Sequence, residues 1–134
     1  MLKENHLPAL FPNNVRFVAE DWILTPPGAN KVNVILALSV LKWIHLHHLD
    51  EGLRTFFRKC ARCLDRDGYL IVEVQPWKSY LQAVKGAKSP LLKKNLDLLC
   101  FRPTDFESLA EQEGFALQTR DETLPRAIEI YRKL

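Results

Sequence analysis

An α/β domain organised on a parallel strand-helix-strand unit is predicted by three observations. Residues 32–46 open on a nearly continuous apolar run without alternation, the pattern of a central strand covered on both faces. From Asp50 the apolar period lengthens. Leu53, Phe56, Phe57, Cys60, Ala61 and Leu64 recur at spacings of three and four, with Arg54, Arg58, Lys59 and Arg62 between them, which is the signature of an amphipathic helix. Residues 69–74 then form a second β-rich run directly after the turn signal Asp65-Arg66-Asp67-Gly68. A helix that returns tightly into a second buried strand makes the two strands parallel.

In chain order, Phe11-Pro12-Asn13-Asn14 signals a turn, and residues 15–18, Val-Arg-Phe-Val, read as a short strand ending at Ala19-Glu20-Asp21-Trp22. Residues 25–30 are loop, because Pro26 and Pro27 each lack the backbone donor that a helix or central strand needs. Asp50 is placed as the N-cap of the helix with Glu51 in its first turn, and Gly68 supplies a positive φ beyond its end. Residues 82–88 suit a helix, but Gly86, Ser89 and Pro90 make 75–90 read as loop-rich and mobile, with Lys78, Lys85, Lys88, Lys93 and Lys94 crowded in and just after them. A short helix is expected over 91–99. Thr104 caps a clearer one over 105–113, with Phe106, Leu109 and Ala110 as its buried stripe and Gly114 as its stop. Residues 115–119 and 128–131 complete the chain as an antiparallel pair at one edge.

The 134 residues suit one domain, and a 47% hydrophobic content supports a sizeable core. A formal charge of +3 with a pI near 8.8 is compatible with an anionic partner without demanding one. Cys60, Cys63 and Cys100 are odd in number and offer a single Cys-x-x-Cys, which makes neither a disulfide framework nor a zinc site and points to a reducing compartment. Residues 1–14 are polar and carry Pro8 and Pro12, so no signal peptide is expected, and no apolar run is long enough to span a bilayer. The expected location is nuclear or cytoplasmic, not secreted, with no membrane partner.

In open α/β sheets, ligands bind beyond the carboxyl ends of the parallel strands. Ser39, Lys42, Trp43, His45, His47 and His48 follow the first strand of the unit; Gln75, Pro76, Trp77, Lys78, Ser79 and Tyr80 follow the second. Cationic and aromatic groups therefore converge on one rim. There is no Gly-x-Ser-x-Gly elbow and no His-Glu-x-x-His helix, so hydrolysis is not favoured. The three histidines lack further ligands for zinc, and no metal site is expected. His45, flanked by Ile44 and Leu46, also suits a histidine packed at a strand-to-helix junction. Neither a Gly-x-Gly-x-x-Gly turn nor a P-loop is present, so the chain carries no phosphate cradle of its own.

Several stretches closely resemble the RNA 5′-methylphosphate capping enzymes, the bicoid-interacting-protein-3 type of S-adenosylmethionine-dependent methyltransferase. They are Phe11-Pro12-Asn13-Asn14-Val15, Leu38-Ser39-Val40-Leu41-Lys42-Trp43-Ile44-His45-Leu46, Asp50-Glu51-Gly52-Leu53 and Gln75-Pro76-Trp77-Lys78-Ser79-Tyr80. Phe101-Arg102-Pro103-Thr104-Asp105-Phe106 and residues 126–133 are similar to that family's C-terminal helix and last strand. The resemblance covers residues 11–134. It implies the C-terminal part of a class I, Rossmann-like methyltransferase sheet, mostly parallel with an antiparallel edge pair, of strand order 3-2-1-4-5-7-6, in which the first two strands have no counterpart here. Two departures stand out: Glu20-Asp21-Trp22 stands where the family has Gly-Asn-Tyr, and Val74 where it has a proline.

The implied cofactor is S-adenosyl-L-methionine, with Asp21 accepting from the adenine amine, Trp22 forming an apolar wall and Leu38 lining the same pocket. The implied reaction is methyl transfer to an oxygen of a small RNA's 5′ phosphate. That oxygen is already anionic, so alignment and electrostatics suffice without a general base. Lys42, His45 and Lys78 are the residues expected to hold or neutralise the phosphate. Ser39, Trp43, Gln75, Trp77 and Tyr80 are expected to contact the first nucleotides or shape the pocket. Two alternatives stay open: a non-catalytic RNA-binding or scaffold module on the same half-sheet, and a methyltransferase of another acceptor. A half-sheet also leaves one strand flank unpaired, which favours self-association.

Overall fold

The computed structural model describes residues 10–134; residues 1–9, including Pro8, lie outside the described residues. Four strands and four helices follow in the order β1 (Val32–Ala37), α1 (Leu41–Cys63), β2 (Leu64–Val74), α2 (Trp77–Ala87), α3 (Pro90–Leu98), α4 (Phe106–Gln112), β3 (Phe115–Asp121) and β4 (Ala127–Lys133). The sheet runs β1-β2-β4-β3. β1 and β2 are parallel, with Val34 opposite Tyr69 and Ala37 opposite Val72. β4 is antiparallel to both β2 and β3. This is the 4-5-7-6 half of the sheet that the resemblance implied, with one parallel pair rather than a mostly parallel array.

The expected strand over residues 15–18 is absent: this segment forms no ladder, and Val15, Phe17 and Val18 are exposed. In the implied order its partner is a strand that the described residues do not supply, and an extended segment without a partner has no ladder to join. For the same reason β1 is an edge strand, not one covered on both faces. Val32, Val34 and Leu36 project from the uncovered face at 43%, 49% and 63% exposure, whereas Ala37 on the other face is buried.

The covered face holds the core. Leu70, Val72 and Tyr131 pack against Leu53, Phe56, Phe57 and Cys60 of α1 and against Phe106, Leu109 and Ala110 of α4. A second cluster, Leu46, Tyr80, Val84, Leu92 and Leu99, joins the first turns of α1 to α2 and α3. Residues 77–87 are thus helical rather than loop, because Trp77, Tyr80 and Val84 recur at helical spacing on the face that meets this cluster. Lys88 at φ +52° ends α2, and Ser89 caps α3 by accepting from the Leu92 N–H.

α1 also begins nine residues earlier than Asp50, at Leu41, and is kinked at Leu49, where φ is +63°. Asp50 makes no cap there; its carboxylate is used elsewhere. After α1 the positive φ falls on Asp67 at +66°, not on Gly68. Gly68 is needed for another reason: a Cβ there would lie 2.9 Å from the carbonyl oxygens of Asn33 and Asp65. At α4, Asp105 rather than Thr104 closes the start, accepting from the Arg102 N–H at 2.7 Å after a 3-10 turn over Pro103–Asp105. Gly114 ends α4 at φ +91°, and no helix among the described residues is long and apolar enough to cross a membrane.

Candidate active site

Because β1 and β2 are parallel, the amino ends of the helices that follow them, α1 and α2, lie on one rim. The first N–H groups of each helix lack intrahelical partners and carry partial positive charge. Gln75, buried just beyond β2, reaches across and accepts from the Lys42 backbone N–H at 3.1 Å, joining the two helix starts. The Lys42 ammonium crosses the same gap and donates to Ser79 Oγ at 2.9 Å. Lys42 is only 8% exposed, and no carboxylate lies within ion-pairing distance of it among the described residues. Burial and then the nearby Arg126 guanidinium pull its pKa below the ordinary lysine value, against the opposing pull of Glu73. Lys78, exposed on the first turn of α2, adds a second cation to this rim.

Ser39, in the β1–α1 loop, sits at φ +59°, a left-handed conformation uncommon outside glycine. Its hydroxyl donates to Glu73 Oε1 at 2.8 Å, and the Arg126 guanidinium reaches the same carboxylate at 3.1 Å. Burial alone would raise the Glu73 pKa, but the hydrogen bonds from Ser39 and Arg126 outweigh it and hold the group below the usual range. Trp43 lies exposed next to Lys42, with the ammonium 5.0 Å from its ring centroid.

His45 and Tyr80 are fully buried behind this rim, out of reach of a ligand. The His45 Nε2–H donates to Asp50 Oδ1 at 2.8 Å, and its Nδ1 accepts from the Tyr80 hydroxyl at 2.9 Å. Burial depresses the His45 pKa despite the hydrogen bond to Asp50, so the ring is neutral and this tautomer suits both neighbours. Asp50 further accepts from the backbone N–H groups of Cys100, at 2.9 Å, and Phe101, at 3.2 Å. Burial would raise the Asp50 pKa, but these hydrogen bonds, led by that of His45, lower it. The motif histidine and tyrosine are therefore a buried brace tying α1 to α2 and to the segment before α4.

On the opposite flank, a cleft of about 890 Å³ opens between residues 20–22 and the uncovered side of β1. Asp21, Trp22, Val34, Leu36 and Ile44 line it; Leu38, expected in the same pocket, is not among its lining residues. Asp21 accepts from His48 Nε2 at 2.8 Å and from the Ile23 N–H, which hold its carboxyl below the usual range. Trp22 is fixed by Lys59, which the sequence places among the charged residues between the apolar positions of the helix. Lys59 is 5% exposed, its Nζ lies 4.1 Å from the Trp22 ring centroid, and it donates to the Trp22 and Thr25 carbonyls and to Thr25 Oγ1. Its sequence signal was weak, since Lys59 falls between apolar helix positions like its arginine neighbours. No cluster of three metal-ligating side chains occurs among the described residues.

A parallel pair followed by an antiparallel pair, with helix starts gathered at the parallel strands' carboxyl ends, defines this architecture as half of a class I methyltransferase fold. Solved structures agree at the level of fold. LaPhzM is 18% identical with a TM-score of 0.57, covering 87% of this chain and 34% of that one. Magnesium protoporphyrin IX methyltransferase from Synechocystis PCC 6803, solved with bound SAH, is 16% identical with a TM-score of 0.53, covering 88% and 50%. The family profile of Bicoid-interacting protein 3 (Bin3) matches residues 32–133, and the chain belongs to that family. Over 105 residues it is 35% identical to the 7SK snRNA methylphosphate capping enzyme of Homo sapiens, covering 75% of this chain and 15% of that protein. The U6 snRNA methylphosphate capping enzyme Amus of Drosophila melanogaster is 37% identical over 102 residues, covering 75% and 33%, and the RNA 5′-monophosphate methyltransferase of Rattus norvegicus is 40% identical over 87, covering 56% and 30%. The chain thus spans between 15% and 33% of the length of these relatives.

Proposed function

We propose that this chain forms the acceptor side of an S-adenosylmethionine-dependent O-methyltransferase acting on the 5′ phosphate of a small RNA. The observation that carries the reading is the Lys42 ammonium, held by Ser79 Oγ at 2.9 Å between two helix amino ends. A cation and oriented N–H dipoles at one point suit a phosphate that must be held and oriented. The names of the relatives, which act on RNA 5′ ends, support the same substrate class.

The cleft beside β1 fits the adenine end of the cofactor: its walls are largely apolar and Asp21 offers carboxylate oxygens at its edge. The described residues hold no glycine-rich cradle for the methionine end. When bound, S-adenosylmethionine supplies an electrophilic methyl group. The chain's own residues do the rest. Lys42 and Lys78 neutralise and orient the phosphate, whose oxygen is anionic without a base. Gln75 fixes the Lys42 backbone, Ser39 anchors the loop before it, and Trp43 flanks the nucleotide. The His45 brace keeps the two helix starts in register. Leu38 borders the cofactor side.

The open edge of β1 favours a second reading, a non-catalytic RNA-binding module whose partner covers that edge. Transfer of radiolabelled methyl to matched 5′-monophosphate and 5′-hydroxyl RNAs, by this chain alone and within a complete domain, separates the two. The enzyme reading expects transfer by the complete domain to the phosphorylated RNA alone. Methylation of the 5′-hydroxyl RNA, or of neither, contradicts it.

A further inference from the structure

Beyond the phosphate-binding rim, Tyr80, Trp77 and Arg102 form a continuous stack. The Trp77 and Tyr80 ring centroids are 4.9 Å apart with 30° between planes, and the Arg102 guanidinium carbon lies 3.8 Å from the Trp77 centroid. With Tyr80 and Arg102 both against it, the indole has little ring surface left for a nucleobase. Arg102 and Trp77 are both half-buried, whereas Tyr80 on the indole is fully buried. The Arg102 Nη1 donates to the Leu99 and Phe101 carbonyls at 3.1 and 3.2 Å, while Nε and Nη2 have no hydrogen-bond partner among the described residues.

Arg102 and Trp77 border a second cleft of about 820 Å³, walled by Pro76, Thr104, Leu124 and Pro125. Charges in this cleft balance: Arg102, Arg120 and Arg126 stand against Glu107, Glu122 and Glu129. Arg120 is committed to Glu107 and Glu129, and Arg126 to Glu73, all by ion pairs. A cleft so neutralised is poorly suited to another phosphate, whereas a planar cation seated on an indole is well suited to a base. Guanidinium planes and aromatic rings are the surfaces on which unpaired bases stack.

The buried brace serves this stack directly. Tyr80, behind Trp77, is held by His45, and Phe101, next to Arg102, is held by Asp50. One network thus sets both layers before any ligand arrives.

We propose that Arg102, seated on Trp77, is the platform on which one nucleobase near the RNA 5′ end stacks. The inference rests on the RNA-phosphate reading and adds a contact that reads the nucleotide rather than its phosphate. The test is fluorescence anisotropy of the 134-residue chain with a short 3′-labelled single-stranded RNA, 5′-phosphorylated, and a matched strand abasic at its first two positions. Wild type is expected to bind the abasic strand about 10-fold more weakly. R102K, which keeps the charge and loses the plane, should reduce that penalty to within about twofold; R102Q, which also loses the charge, should do the same, and circular dichroism verifies folding of each. Equal binding of both strands by wild type, an undiminished penalty in either folded variant, or no binding of any strand overturns the proposal. A 5′-hydroxyl strand isolates the underlying reading: base dependence that persists without phosphate dependence retains the platform and rejects the phosphate site.

Discussion

Replacing Asp50 with alanine removes one carboxylate and strands three donors. The His45 Nε2–H is fully buried, the Phe101 N–H is partly buried, and the Cys100 N–H is exposed and rehydrates. An unsatisfied buried donor costs about 1–3 kcal/mol, and the partly buried Phe101 N–H costs less than a fully buried one, so the loss is about 2–5 kcal/mol. That is a large share of the roughly 5–15 kcal/mol by which a small domain is stable. With a urea slope of about 1–3 kcal/mol per molar, the midpoint should fall by roughly 1–5 M. Urea titration followed by far-ultraviolet circular dichroism measures it. Tyr80→Phe should cost about 1 kcal/mol alone, because it removes the proton given to His45 Nδ1. In the double variant the two losses should fail to add by more than about 0.5 kcal/mol, since both act through His45. A D50A midpoint near that of wild type, or strict additivity with Y80F, would refute the brace.

The same network gives a pH dependence. His45 is held neutral with a lowered pKa, so the unfolded chain binds more protons as acid is added, and stability should decline once pH drops below about 6.5. H45Q should flatten that decline in a pH series of thermal midpoints. Asp50, whose folded pKa is lowered, adds a further loss below about pH 4 as pH falls through that value. Gly68→Ala should destabilise by about 1–3 kcal/mol in the same urea assay, because the new Cβ meets two backbone carbonyls that have no freedom to move aside. Leu36→Lys, on the uncovered face at 63% exposure, should leave stability within about 0.5 kcal/mol. Light scattering across a concentration series should show wild type associating and L36K remaining monomeric; a monomeric wild type would remove the case for self-association through this face.

Much of the fold was legible because its signals are local. The three-and-four spacing from Leu53 to Leu64 identified the long helix, and the run after Gly68 identified β2 and its parallel partner. Misreadings came from tertiary context. The apolar side chains of β1 match a buried strand in composition, yet burial depends on neighbours that no local pattern encodes. Gly86 and Pro90 suggested a loop, but Trp77, Tyr80 and Val84 gain more by packing on Leu46, Leu92 and Leu99 than one glycine near a helix end costs. For the site, charge and position placed Lys42 and Gln75 on the rim correctly. A packed His45 was one of two readings the sequence offered; what it did not reveal was the burial of Tyr80 against that histidine, the fastening of Trp22 by Lys59, and the seat of Arg102 on Trp77. Each depends on a partner between 25 and 37 residues away or on a kink at Leu49 that no glycine or proline announces.

Recognition of a terminal phosphate centres on the rim at Lys42. Calorimetry should compare one short RNA with a 5′-monophosphate and with a 5′-hydroxyl, titrated into the wild-type chain and into Lys42→Met. A charge-assisted contact predicts that the phosphate tightens wild-type binding by roughly 10-fold or more, and that K42M erases the difference while still binding both strands. Equal affinity of wild type for the two RNAs, or a phosphate preference that survives in K42M, would contradict it.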